Sequence, residues 1–170
     1  MTTAPGTNEI ADHLNSLSAD DAVRELSRCC ASEAWARRMV AVRPFASDAA
    51  LLDAAERVWW ALSPDDWLEA FAAHPRIGER SGSAWSSEEQ SGMDRASGEL
   101  EERIREGNRR YEETFGHVFL VCATGLSARE MADALERRLR NDPATELRNA
   151  AAEQAKITRL RLEKLTKGTT

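Results

Sequence analysis

The sequence lacks several of the patterns by which enzymes are often recognised. It has three cysteines in 170 residues, with Cys29 and Cys30 adjacent and Cys122 far from both. An odd count without a CxxC spacing fits neither a disulfide framework nor a zinc site, so we expect reduced, mostly buried thiols. No HExxH, GxSxG or glycine-rich phosphate loop is present. Metal, serine-hydrolase and nucleotide mechanisms are therefore unsupported.

Basic charge and long apolar runs are also scarce. The 23 Lys and Arg residues face 29 Asp and Glu residues, a formal net charge of -6. Such a field repels phosphate backbones and anionic lipids. No stretch is apolar over the length that crosses a bilayer, and residues 1–15 do not resemble a secretory leader. We therefore expect a soluble, cytoplasmic protein that binds neither nucleic acid nor membrane.

Helix signals, in contrast, are abundant. Apolar residues recur at spacings of three and four between residues 51 and 62 and again along residues 144–165. Only residues 117–123 resemble a strand, and without partners they are better explained as a buried extended segment. We predict an all-α fold, a single-domain multi-helix bundle without a β-sheet. A flexible lead-in is expected over residues 1–8 and one domain over residues 9–167.

Caps and breakers predict where the helices begin and end. The run 29–42 is expected to stay helical until Pro44, because the residue before a proline disfavours the α conformation. Gly116 is expected to close a later helix. Hydroxyl caps predict helix starts at Ser18, Ser47, Ser63, Ser86 and Ser127.

His74 differs from the other two histidines in its setting. It follows Phe71 by three residues, which places it on an apolar helix face, and it stands directly before Pro75. A core histidine, or a cation at the end of a helix, would explain that position. Alternatively, the proline holds the imidazole at the mouth of a cleft, where it can act as an acid or base. Surface or turn roles account for His13 and His117.

Glu89 and Arg161 each allow two interpretations. The spacing of Ser86 and Glu89 predicts a capping box, although a helix N-terminus can also bind the oxygens of a ligand. Arg161 falls on the same helical stripe as Ile157 and Leu165. Its stem can lie buried while its head reaches water, or its guanidinium can hold a carboxylate inside a cavity. The local sequence leaves both choices open.

Several short motifs follow one another with consistent spacing over nearly the whole chain. They are Cys30-x-Ser32-x-x-Trp35, Arg43-Pro44-Phe45, His74-Pro75-Arg76-Ile77-Gly78, Ser86-x-x-Glu89-Gln90, Asn108-x-x-Tyr111, Arg138-Leu139-x-Asn141 and Lys156-Ile157-x-x-Leu160-Arg161-Leu162. Each motif is weak alone. The ordered set resembles the 2-oxo-4-hydroxy-4-carboxy-5-ureidoimidazoline (OHCU) decarboxylases, which complete the conversion of urate to (S)-allantoin.

The resemblance implies a helical homodimer that decarboxylates OHCU, a small ureidoimidazoline, without any cofactor. The family's catalytic histidine falls on His74, and its other two catalytic side chains fall on Glu89 and Arg161. The substrate-binding positions that the resemblance implies are Pro75, Ser86, Gln90 and the backbone of Phe119, Leu120, Val121, Cys122 and Ala123. His117-Val118 and Gly92-Met93 depart from the family's commoner forms and leave the shape of the pocket open. Arg76-Ile77-Gly78, in place of the commoner acid-leucine-alanine form, indicates a distinct subgroup.

Two other classes of function remain as alternatives. A non-enzymatic helical module could use tryptophan side chains to anchor a partner helix. It is distinguished from an enzyme by whether the named side chains surround one small cavity or scatter over an open surface. A helix-turn-helix nucleic-acid binder would need a basic face, but acidic residues flank the arginines of segment 103–110, which is typical of a solvated, ion-paired helix. The tryptophans are Trp35, Trp59, Trp60, Trp67 and Trp85.

Overall fold

The computed structural model describes residues 8–77 and 98–165, which contain eight α-helices and no strand. The helices are α1 (Glu9–Ser16), α2 (Ala19–Cys29), α3 (Glu33–Ala41), α4 (Asp48–Trp60), α5 (Pro64–Ala72), α6 (Gly98–Phe115), α7 (Ala128–Arg138) and α8 (Pro143–Glu163). The prediction of an all-α fold is confirmed. None of these helices is both long and apolar enough to span a membrane. The chain divides into two compact units, one formed by residues up to Ala70 and from Ala155 onward, the other by Phe71–Gln154.

Serine caps begin three helices of the first unit. Ser18, Ser32 and Ser47 each accept a hydrogen bond from the backbone N–H three residues further on. Each bond satisfies a donor that the first turn of a helix leaves unpaired. The prediction of continuous helix over residues 29–42 is wrong, because the backbone becomes extended at Cys30, with φ -151° and ψ 117°. The Ser32 hydroxyl then caps the start of α3. A hydrogen bond between a serine side chain and the backbone competes with the continuation of a helix, and the pattern of apolar residues does not reveal it.

Tryptophans form much of the core of the first unit. Trp35, Trp59 and Trp67 are buried. The indole N–H of Trp35 donates to the carbonyl of Ala55 at 3.1 Å, and that of Trp67 donates to the carbonyl of Trp59 at 3.0 Å. Trp60 is 38% exposed. Three of the side chains that could have anchored a partner helix are therefore used inside this unit.

In the second unit, α6 packs against α7. Ile104 and Tyr111 from α6 meet Met131 and Leu135 from α7 in one buried cluster. Gly107 allows the close approach, since a Cβ atom there would lie 2.4 Å from Cδ2 of Leu135. Any larger residue at this position would push into a side chain that has almost no free space around it.

A segment without helix or strand connects α6 to α7. Gly116 ends α6 with a φ of 78°, a left-handed conformation that glycine adopts without strain, as predicted. Ser127 and Glu130 form the predicted capping box at the start of α7. Between Gly116 and Ser127 the chain is mostly buried. Its backbone N–H and C=O groups therefore need hydrogen-bond partners other than those of a helix or a β-sheet. The buried residues are Phe119, Leu120, Val121 and Ala123.

Candidate active site

His74 lies two residues beyond the end of α5, in the turn that leads to Pro75. Its backbone N–H donates to the carbonyl of Phe71 at 3.1 Å, which continues the hydrogen bonding of the last helical turn. The residue is half-buried. The prediction that this helix ends before Pro75 is confirmed, but the helix ends at Ala72, so His74 lies beyond it and not in its last turn as predicted.

The imidazole of His74 is paired with a buried amide. Its Nε2 lies 2.6 Å from Oε1 of Gln154, and Gln154 has 0% of its surface exposed. An amide oxygen only accepts hydrogen bonds, so in this arrangement Nε2 is the donor. Sequence reasoning missed this partner, which is 80 residues away along the chain. The available signal was a glutamine on the apolar stripe of α8, because a buried amide needs a hydrogen-bond partner.

The two residues after Pro75 attach this turn to α6. Arg76 Nε donates to both carboxylate oxygens of Glu112, at 3.0 and 2.8 Å. Asn108 Nδ2 donates to the carbonyl of Ile77 at 3.0 Å, and the Ile77 side chain is buried in the core of the second unit. Arg76 and Ile77, which depart from the family's commoner form, therefore have a structural role in holding the histidine turn.

The segment 119–123 is also held through its backbone. The guanidinium of Arg138 donates to the carbonyl of Leu120. The N–H of Cys122 donates to Oε1 of Glu153 at 3.3 Å. Glu153 is the neighbour of Gln154 in α8. Adjacent residues of one helix thus bind the histidine and the backbone stretch for which the resemblance implies substrate contacts.

Arg138 belongs to a buried polar network. Glu146, whose side chain is 0% exposed, accepts from Arg138 Nε and from the Tyr111 hydroxyl, both at 2.5 Å, and from Asn141 Nδ2 at 3.1 Å. The guanidinium also lies 4.8 Å from the centre of the Phe119 ring. Burial, and then the bond to Glu146, raise the pKa of Tyr111, so its phenol stays a neutral donor. The network supports the start of segment 119–123.

Arg161 belongs to the first unit, on the last turns of α8. It is half-buried, and its charge acts on the buried thiols of Cys29 and Cys30. Burial raises the pKa of Cys29 to about 12 and that of Cys30 to about 11, although the positive charge of Arg161 opposes the shift. Both thiols therefore stay protonated at neutral pH. Their predicted state, reduced and buried, is confirmed for these two cysteines.

The remaining predicted site residues, Ser86, Glu89 and Gln90, lie outside the described residues. Within residues 8–77 and 98–165, no three His, Cys, Asp or Glu side chains are grouped so that they could hold a metal ion. The other two histidines contact different residues. His13 lies 2.8 Å from a carboxylate oxygen of Glu25, and His117, in the turn after α6, contacts the rings of aromatic neighbours.

Comparison with known sequences decides the family. The sequence model described as OHCU decarboxylase matches residues 15–163. The chain belongs to the OHCU decarboxylase family. Relatives with this name include the 2-oxo-4-hydroxy-4-carboxy-5-ureidoimidazoline decarboxylase of Haloferax volcanii, 31% identical over 157 residues, which are 88% of this chain and 91% of that protein. The resemblance on which the sequence analysis depended is confirmed, and the chain is grouped with carboxy-lyases.

Longer relatives of this OHCU decarboxylase family member also exist. The uric acid degradation bifunctional protein TTL of Arabidopsis thaliana is 36% identical over 146 residues, which are 81% of this chain. This chain spans only 45% of the length of that protein.

Solved structures agree with the family and the fold. A crystal structure of an OHCU decarboxylase in the presence of (S)-allantoin has a TM-score of 0.76 and 38% identity, covering 84% of this chain and 97% of that chain. A crystal structure of (S)-allantoin synthase matches with a TM-score of 0.71 at 19% identity, covering 91% of this chain and 53% of that chain, and supports the fold alone.

Proposed function

We propose that this protein decarboxylates OHCU to (S)-allantoin and CO2 without a cofactor, in the last step from urate to allantoin. The observation that carries the proposal is the family match over residues 15–163, which includes the His-Pro motif at His74. The paired, half-buried imidazole described above suits a residue that moves protons. As the family resemblance implies, we further propose that the protein acts as a homodimer. We also propose that it acts in the cytoplasm.

The substrate itself can accept the electrons that decarboxylation releases. Its carboxylate is bonded to the ring carbon that also bears the hydroxyl, next to a C=N bond. When the carbon–carboxylate bond breaks, its electron pair forms a C=C bond between the two ring carbons, and the former imine nitrogen takes a proton. Protonation of the ureido-bearing carbon and loss of the hydroxyl proton then give the carbonyl of allantoin. The enzyme has to orient the substrate and to move protons.

Three side chains are proposed to do this work. His74 transfers the protons, and the face from which the ring carbon is protonated decides the handedness of allantoin. Glu89 orients the ureido and ring N–H groups or steers His74, and Arg161 holds the carboxylate or a ring oxygen. The edges of the ring are proposed to bind Pro75, Ser86, Gln90 and the backbone of residues 119–123.

The direct test uses the optical activity of the product. OHCU is generated in the cuvette from urate by the two preceding enzymes, and circular dichroism is followed with and without this protein. We expect a lasting allantoin signal of the (S) enantiomer with the protein and a racemate without it. Decay to racemic allantoin at the uncatalysed rate, with folded protein present, would contradict the proposed function.

Arg161 gives a prediction about substrate binding. We expect Arg161→Ala to lower kcat/KM by about 10- to 100-fold, because a hydrogen bond to a charged group is worth about 1.5–3 kcal/mol. Arg161→Lys restores the charge but not the planar fork, so we expect it to recover only part of the activity. The matched control is Arg159→Ala on the same helix, which removes an exposed guanidinium paired with Glu163 at 3.3 Å. If both alanine variants have wild-type kcat/KM, the role of Arg161 is refuted.

A further inference from the structure

Gln154 is placed to control the chemistry of His74. Its amide is wholly buried on α8, and its Oε1 lies 2.6 Å from His74 Nε2. A buried side chain in the middle of a helix has few rotamers available, so the acceptor is held at one point. The ring that meets it leaves α5 in a turn whose next residues are bonded to α6. Both partners of the pair are therefore held by backbone that is itself anchored.

The identity of the acceptor restricts the imidazole to one tautomer. A neutral imidazole has one N–H and one lone pair, and an amide oxygen can pair only with the N–H. With Nε2 donating to Gln154, the lone pair of the neutral ring is on Nδ1. A nitrogen that is bonded to a buried amide at 2.6 Å cannot at the same time reach a substrate. Proton exchange with the substrate must then use Nδ1.

We propose that Gln154 is a positioning residue that holds His74 as the tautomer protonated on Nε2 and so makes Nδ1 the atom that exchanges protons with the substrate. The second half of this proposal rests on the proposed function, whereas the first half does not. The amide of Gln154 orients the ring through a hydrogen bond, as the aspartate of a serine-protease triad orients its histidine.

Glu153 adds an independent reason to infer that α8 positions the parts of the site. Its carboxylate accepts from the N–H of Cys122 at 3.3 Å, next to the residue that binds His74. The histidine and the backbone of segment 119–123 are thus set by neighbouring residues of one rigid element. A site built on a helix is held more precisely than a site built on loops, which favours correct proton delivery.

The first experiment measures the tautomer and needs no substrate. Long-range proton–nitrogen NMR correlation of the ¹⁵N-histidine-labelled protein, at a pH above the titration of the rings, shows which ring nitrogen carries hydrogen. The His74 signals are assigned by their loss in His74→Asn. We expect the Nε2–H pattern in the wild type and a mixture of tautomers in Gln154→Met, which has similar length but no acceptor. A wild-type ring protonated on Nδ1, or an unchanged pattern in Gln154→Met, would overturn the proposal.

The second experiment separates positioning from binding. In Gln154→Met we expect kcat to fall about tenfold or more, since an enzyme whose histidine has the wrong tautomer loses rate, while KM stays within about threefold. Gln154→Glu keeps an acceptor oxygen at the same atom and should recover the Nε2–H pattern and part of kcat. The control is Arg148→Ala, at an exposed position on α8.

A Gln154→Met enzyme with wild-type kcat would refute the catalytic half of the proposal. If this variant does not fold, the tautomer pattern of the wild type and the tautomer pattern and kcat of Gln154→Glu still test the proposal. A wild-type protein that shows the Nε2–H pattern but does not decarboxylate OHCU would refute the proposed function, and with it the assignment of Nδ1 to proton exchange, but not the role of Gln154 in setting the tautomer.

Discussion

Replacing His74 with asparagine is expected to remove OHCU decarboxylation while the protein stays folded. Asparagine is polar and similar in reach, but it cannot take up and release protons near neutral pH. A positioned acid or base contributes about 10²- to 10⁴-fold to rate, and we expect kcat/KM to fall by that factor. Folding should survive because the residue is half-buried in a turn beyond the end of α5. The measurement is the rate of formation of optically active allantoin.

The control for this variant is another histidine. His13 lies in the first unit, where its Nε2 is 2.8 Å from Glu25, and no catalytic role is proposed for it. We expect His13→Asn to keep wild-type turnover. Because OHCU also decays without enzyme, the enantiomeric excess of allantoin is recorded together with the rate. Near-normal turnover by folded His74→Asn protein would rule out the proposed proton-transfer role of His74.

Replacing Arg138 with methionine is expected to cause the largest loss of stability among the substitutions considered. Glu146 is 0% exposed, and Arg138 is the cation that faces it at 2.5 Å. Removing one partner of a buried ion pair leaves an uncompensated charge and costs about 3–5 kcal/mol. The variant also removes the donor to the carbonyl of Leu120. Urea denaturation followed by tryptophan fluorescence measures the free energy of unfolding.

Two comparisons separate the buried charge from a general effect of losing an arginine. The double variant Arg138→Met with Glu146→Gln should recover part of the stability, because glutamine removes the stranded charge. Arg109 pairs with Glu106 on the surface, where both side chains are at least half exposed. Arg109→Met should therefore cost less than about 1 kcal/mol. Equal losses in the free energy of unfolding for Arg138→Met and Arg109→Met would show that the buried network contributes no more to stability than a surface ion pair.

Helix ends were predictable where the interaction that makes them is local. Ser18, Ser47 and Ser127 each accept a hydrogen bond from the backbone N–H three residues further on. Gly116 adopts a left-handed backbone conformation. These are short-range effects, so neighbouring residues are enough to reveal them. Ser32 caps in the same way. The prediction of continuous helix over residues 29–42 took Pro44 as the first breaker and overlooked this cap, and the backbone is extended at Cys30.

The candidate site was predictable only in part. The end of α5 shortly before His74 follows from the nearby proline, but the partner of the imidazole comes from α8, which only the tertiary fold brings near. The same holds for the bond between Cys122 and Glu153. The catalytic role of Glu89 remains a prediction, because it came from a resemblance in motifs and not from a contact.

The spacing along α8 restricts how the length of this chain can vary. Glu146, Glu153 and Gln154 each bind a different part of the second unit, and they are separated by seven and then one residue. Seven residues are about two turns, so the first two glutamates point in nearly the same direction. Gaining or losing one residue between them would rotate everything downstream by about 100° and separate His74 and Cys122 from their partners together. Insertions and deletions are therefore tolerable in loops but not between residues 146 and 154.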